Sequence, residues 1–235
     1  MTLSTLIDAL RGALGQDAVR TDPATLEQFS NDVYRTGGAP VAVVRPADAS
    51  AVQAAVRLCA AAGTAMIPRG GGASYTDGYI RPAGGHVLID TGALDTIQID
   101  EAKAVVTCGA GVTWAALKAA LDARNLRTPF YGPFSGIAAT VGGSVSQNTL
   151  SHGSTAHGIS AQSLLGIDVV LANGDLLSTD VGGGTRFYGP DLTGLFTGDC
   201  GAFGIKTAVR LPLIAIRPQF ECLSFAYDDF AAFHA

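Results

Sequence analysis

The chain carries little charge and no block of it. Only 15% of its 235 residues are Asp, Glu, Lys or Arg, and the formal charge is −5. Without a basic run there is no electrostatic footprint for nucleic acid. An anionic ligand would have to be held mainly by backbone N–H groups and helix ends. No stretch approaches the ~20 uninterrupted apolar residues of a membrane span. The first residues lack the basic start and long apolar run of a signal peptide and read as a helix. Cys59, Cys108, Cys200 and Cys222 stand far apart with no CxxC pair, which fits reduced core residues of a cytoplasmic protein.

Two nucleotide-binding signatures are also missing. Gly109-x-Gly111 is followed by Trp114 where a dinucleotide fingerprint needs a small residue for helix–strand packing. No lysine follows a glycine in the pattern that a P-loop demands. Internal repeats and low-complexity segments are absent as well.

The chain is rich in apolar residues, at 48%, and in glycine, with 30. That suffices for one large domain or two small ones with many tight turns. Helical spacing of Leu6, Ile7, Leu10 and Leu14 predicts a first helix stopped by Gly15. Asp22-Pro23 predicts a capped helix to about Ser30, and Asp48 caps another that ends before Gly63. Strands are expected at residues 41–44, 64–67, 87–90, 97–100, 104–108 and 164–171. A helix should follow Thr113, with Trp114, Leu117 and Leu121 on its face. Asn173-Gly174 predicts a type I′ hairpin into residues 176–178. Residues 203–213 read as a pair of strand segments. The order is α+β, with more hairpins than crossover helices after residue 85. Pro212 and Pro218 bracket a break, after which residues 221–227 read as a strand and Asp228 or Asp229 as a helix cap.

Residues 66–75 read Met-Ile-Pro-Arg-Gly-Gly-Gly-Ala-Ser-Tyr. Three consecutive glycines cost backbone entropy and are kept where the chain turns sharply or lies against a ligand. Successive N–H groups in such a turn form a concave nest for phosphate oxygens. Arg69 adds a positive neighbour and Ser74 a hydroxyl. These ten residues alone leave a diphosphate cradle and a plain glycine turn both open. Three further glycine-rich segments follow, at 133–148, 152–158 and 198–205. The histidines of the third, His152 and His157, are five apart, off a common helical face, and have no Cys or carboxylate near them in sequence, so no metal site is expected.

The ordered set resembles the PCMH-type FAD-binding domain of the vanillyl-alcohol oxidase family over roughly residues 20–215. Arg69-Gly70-Gly71-Gly72-Ala73-Ser74 is similar to its pyrophosphate loop, and Ala139-Thr140-Val141-Gly142-Gly143-Ser144-Val145 to its second glycine segment. Residues 165–174 are similar to its strand-and-turn, and 191–205 to its last glycine segment. Within the family the chain is most similar to FAD-linked 2-hydroxyacid dehydrogenases of the glycolate oxidase D subunit and D-lactate dehydrogenase type.

The resemblance implies a fold and a set of roles. The FAD-binding domain would cover 1–215 as two α/β subdomains, about 20–90 and 91–215, and 216–235 would begin a truncated substrate or cap domain. Gly70, Gly71, Gly72, Ala73 and Ser74 would bind the FAD pyrophosphate beside Arg69. Pro133, Thr140, Gly142, Gly143 and Ser146 would line the isoalloxazine and ribityl path. Gly153, Ser154 and Gly158 would approach the flavin and its diphosphate. Gly204 and Ile205 would hold the adenine end. The implied reaction is hydride transfer from a small-molecule 2-hydroxy acid to FAD, with partner subunits or an electron-acceptor protein possible in such systems. The sequence names no catalytic base; His152 is its local candidate.

This sequence also departs from the family. Ala73 stands where members that bond FAD covalently often carry His, and no Cys lies in the 133–143 stretch, so FAD is expected to be dissociable. Asp199-Cys200-Gly201-Ala202 replaces the commoner Glu-Gly-Thr pattern in part. Ser151 and His152 stand where the subfamily often has a base and Tyr. A non-catalytic FAD-binding subunit or fragment, and an enolpyruvyl-sugar reductase-like flavoenzyme, stay open as alternatives.

Overall fold

The computed structural model describes residues 1–180, 186, 189–217, 219 and 221–234. Pro218 and Ala235 lie outside the described residues.

Local chemistry sets most of the first elements. Helix α1 (Leu3–Leu14) starts where the Thr2 hydroxyl accepts the Thr5 N–H, and stops at Gly15 with φ 96°. Strand β1 (Val19–Arg20) leads to α2 (Pro23–Gln28), which Asp22 caps and proline opens. Strand β2 (Ala42–Val44) is followed by α3 (Ala49–Ala61), capped by Asp48. Strands β3 (Met66–Arg69) and β4 (Val87–Asp90) complete a sheet of order β1-β2-β4-β3, in which β2 and β3 run parallel to β4. All four residues of β4 are buried, as a central strand covered on both faces requires.

The second sheet is antiparallel. It takes β5 (Ile97–Asp100) and β6 (Val105–Gly109), then the chain forms α4 (Trp114–Asp122), β7 (Leu126–Arg127), α5 (Val141–Gln147), α6 (Ser154–His157) and α7 (Ser160–Ser163). It returns through β8 (Gly166–Val170), β9 (Leu176–Ser178), α8 (Leu192–Leu195) and β10 (Ile205–Pro212), giving the order β5-β6-β10-β8-β9. Strand β11 (Ile214–Ala215) pairs with β7 outside that sheet, and α9 (Phe230–His234) comes last.

Four local expectations need correction. Cys59 and Cys108 are buried as expected, but Cys200 and Cys222 are exposed and are not core residues. The 173–174 hairpin is not type I′: Gly174 has φ 83°, whereas Asn173 is not in the positive-φ region. The turn closes by Gly174 N–H to the Leu171 carbonyl at 2.8 Å, and the Asn173 side chain accepts the Asp175 N–H at 3.0 Å. That is the longer loop with glycine at its left-handed position. Residues 203–213 hold a single eight-residue strand, β10, with a register shift between Lys206 and Ala208. Residues 221–227 form no strand, because among the described residues no segment pairs with them; Leu223, Phe225 and Tyr227 stand exposed. The expected cap at Asp229 is present and accepts the Ala232 N–H at 2.8 Å.

Helix α3 ties the two sheets together. Its apolar face (Val52, Ala55, Val56, Cys59) packs in one core cluster with β2 and β4, and with Ala110, Val170 and Ile205 from the other side. Gln53 and Arg57 donate to the Gly174 carbonyl at 2.8 and 2.9 Å. A second cluster, built on Val106, Cys108, Leu117, Phe130, Ile167 and Val209, fills the face of the antiparallel sheet under α4 and α5.

Candidate functional site

A cleft of about 1080 Å³ runs where these units meet. It is slightly larger than the ~300–1,000 Å³ of most small-molecule sites, a size suited to a long ligand. The four glycine segments converge on it. Arg69 to Ser74, Pro133, Thr140, Gly142, Gly143, Ser146, His152, Gly153, Ser154 and Gly204 all line its wall. Gly158 and Ile205 do not. Gly158 closes α6 with φ 82° and faces the Gln162 side chain, while Ile205 is buried in the cluster shared with α3.

The wall is tight because glycines let two segments interlock. A Cβ at Gly70 would stand 2.3 Å from Thr140 Oγ1, and one at Gly71 would stand 1.6 Å from the Ala138 carbonyl oxygen. One at Gly142 would meet the Ala110 Cβ at 2.6 Å. Thr140 then caps α5 by accepting the Gly143 N–H at 3.2 Å. Trp114, the residue that breaks the dinucleotide fingerprint, braces this wall from below. Its ring lies against Gly132, where a Cβ would come within 2.2 Å of it, and its Nε1 donates to Ser144 Oγ at 2.7 Å.

Arg69 has a different task from the one its sequence position suggested. Its Nη1 donates to the Phe29 and Asn31 carbonyls at 3.2 and 2.9 Å. Its guanidinium stacks between the Phe29 and Tyr79 rings, 5.0 and 4.8 Å from their centroids. Burial pulls the guanidinium below its ordinary pKa, and nearby Tyr79, Asp90 and Asp32 oppose that. Arg69 therefore fastens the glycine loop to the chain forty residues earlier. Tyr79, missed by sequence reading, fastens the loop itself. Its hydroxyl lies 2.8 and 2.6 Å from the Gly72 and Ser74 carbonyl oxygens and shares its proton between them. Burial raises its pKa, so that proton stays in place.

The rim differs from the wall. Phe134, Leu150 and Tyr75, which line the cleft, are 92, 75 and 69% exposed. His152 packs edge-on against Phe134, with ring centroids 4.4 Å apart. Among the described residues no group of His, Cys, Asp and Glu could hold a metal ion. A second missed residue is Lys206, which lines the cleft and pairs with Asp199 at 2.5 Å, the two side chains being 3% and 1% exposed.

These residues fit FAD. Gly70 and Gly71 line the cleft, and among the described residues their backbone N–H groups have no protein acceptor, which leaves them for the oxygens of a diphosphate. No Asp or Glu lines the cleft among the described residues, so nothing there repels an anion. Gly132, Pro133, Gly142 and Gly143 line the cleft with little side chain, which leaves room for a planar ring.

Comparison with known proteins agrees. The FAD binding domain family matches residues 40–180, more than half of the chain. The glycolate oxidase subunit GlcD of Bacillus subtilis is 29% identical over 82% of this chain and 41% of its own length. D-2-hydroxyglutarate dehydrogenase of Stutzerimonas stutzeri is 28% identical over 98% of this chain and 50% of its own. The chain thus spans half or less of the length of these relatives. The solved structure of p-cresol methylhydroxylase covers 92% of the chain with a TM-score of 0.75 at 23% identity, a likeness of fold. Among the described residues no helix is long and apolar enough to cross a membrane. With the family match laid over the cleft and its four glycine segments, the chain belongs to the FAD-binding domain family.

Proposed function

We propose that this chain is the cofactor-carrying part of an FAD-dependent oxidoreductase that oxidises a 2-hydroxy acid of the glycolate or D-lactate type, with FAD held without a covalent bond. The convergence of the four glycine segments on one cleft carries the cofactor reading. The substrate class is supported by relatives named for glycolate and D-2-hydroxyglutarate. Ala73, at the cleft wall, offers no nucleophile for attachment. The widely spaced cysteines support a reducing, cytoplasmic setting.

Bound FAD supplies the two-electron acceptor for the carbinol carbon. The protein binds and positions. Backbone N–H groups of residues 70–74 would hold the diphosphate, and the Tyr79 hydroxyl fixes the loop at the Gly72 and Ser74 carbonyls. The 132–143 wall fixes the plane in which a ring can lie. His152 is the candidate on this chain for taking the substrate's hydroxyl proton at a ring nitrogen; its ring packs edge-on against Phe134.

The protein that carries this chain, purified from its own host, tests the reading. Glycolate, D-lactate or D-2-hydroxyglutarate added without oxygen is expected to bleach the flavin absorbance. Bleaching by dithionite but by none of a panel of 2-hydroxy acids would overturn the substrate class and favour a non-catalytic FAD-binding subunit.

A further inference from the structure

Lys206 is the buried charge at the cleft wall that the function above leaves unused. It follows Gly204 as the second residue of β10, opposite Val169 and just before the register shift. An ammonium has three N–H donors. One goes to Asp199, and among the described residues no second acceptor is present. Asp199 does not depend on Lys206 for its place, since its carboxylate also accepts the Gly201 and Phe203 N–H groups at 3.0 and 3.3 Å. Arg69 and Lys206 are the only Lys or Arg among the described lining residues. The Arg69 charge is turned away to the Phe29 and Asn31 carbonyls.

We propose that Lys206 is a cofactor-binding residue whose free N–H donors face the FAD diphosphate, with Asp199 as the counter-ion that keeps the ammonium in place before the ligand arrives. Burial works against the charged ammonium and Asp199 works for it. A diphosphate adds a second anion to the same site. This inference rests on the FAD reading.

The test compares three ligands on the full chain by isothermal titration: FAD, ADP and riboflavin. ADP carries the diphosphate without the flavin, and riboflavin the flavin without the diphosphate. Lys206→Met is expected to weaken FAD and ADP alike by about 10- to 100-fold, the loss of hydrogen bonds from a charged donor, and to leave riboflavin unchanged. If that variant misfolds because Asp199 is stranded, the double variant Asp199→Asn/Lys206→Met removes both charges, and the same ratio is read on it. Wild-type affinity for FAD and ADP in either folded variant overturns the assignment. So does a loss equal for all three ligands, which marks a structural role. A wild-type chain that binds no FAD sinks the FAD reading, and this inference with it.

Discussion

Gly71→Ala is expected to weaken FAD binding by about 10- to 100-fold while most of the fold persists. The added methyl has nowhere to go. The Ala138 carbonyl oxygen lies 1.6 Å from its position, and the Ala139 nitrogen 3.3 Å. Both are backbone atoms at the mouth of α5, so no side-chain rotation relieves the overlap. The 70–72 loop and the 138–140 segment must part, and overpacking of this kind costs about 1–3 kcal/mol. The parting falls on the wall that shapes the cleft, so the cost appears chiefly in affinity, at tenfold for each ~1.4 kcal/mol. Gly12→Ala is the control. A Cβ there meets nothing within 4 Å, and the site lies in α1, none of whose residues lines the cleft. It is expected to raise stability slightly, by up to about 1 kcal/mol, and to leave FAD affinity alone. FAD titrations of the two variants, with urea melts, make the comparison. Equal affinity in Gly71→Ala and wild type would show that the two segments do not need their close contact.

Trp114→Ala carries the largest expected cost in stability. Trp114 is the single tryptophan, 3% exposed, tilted against Phe130 with centroids 5.2 Å apart. Truncation of so large a buried ring costs about 3–5 kcal/mol. That is a large share of the ~5–15 kcal/mol that holds a domain folded. It also strands Ser144 Oγ, which accepts the indole N–H. Trp114→Phe separates the two effects. It keeps much of the apolar volume but loses the donor, and an unmet buried hydroxyl costs about 1–3 kcal/mol. Urea unfolding followed by circular dichroism checks the order wild type, then Phe, then Ala. A Phe variant as unstable as the Ala variant would place the whole effect in the hydrogen bond.

The sequence was readable where chemistry is local. Asp22, Asp48 and Thr113 cap the helices that their spacing announced, each by accepting an N–H three residues on. Residues 87–90 form β4 with the expected bounds. The glycine segments could be linked to one ligand because their order along the chain is specific. What stayed hidden depends on partners far away. Nothing near Arg69 says that its guanidinium ends on carbonyls at 29 and 31, or that Tyr79 will hold Gly72. Lys206 and Asp199 lie seven residues apart, yet only the turn at 199–203 brings their charges together out of water. The 221–227 stretch has strand-like residues, but a strand needs a neighbour, and the pattern of one segment cannot supply it. Gly158 and Ile205 were assigned by likeness of motif. One serves as a helix end and the other as core, roles fixed by packing rather than by the motif.

The central claim is that this cleft holds FAD and does not bond to it. Residues 1–235 are to be mixed with FAD, desalted, and the visible spectrum recorded before and after acid precipitation. Flavin absorbance that survives desalting and then passes wholly into the acid supernatant is the predicted result. A colourless protein after desalting contradicts the cofactor site, and a yellow acid pellet contradicts the non-covalent hold inferred from Ala73.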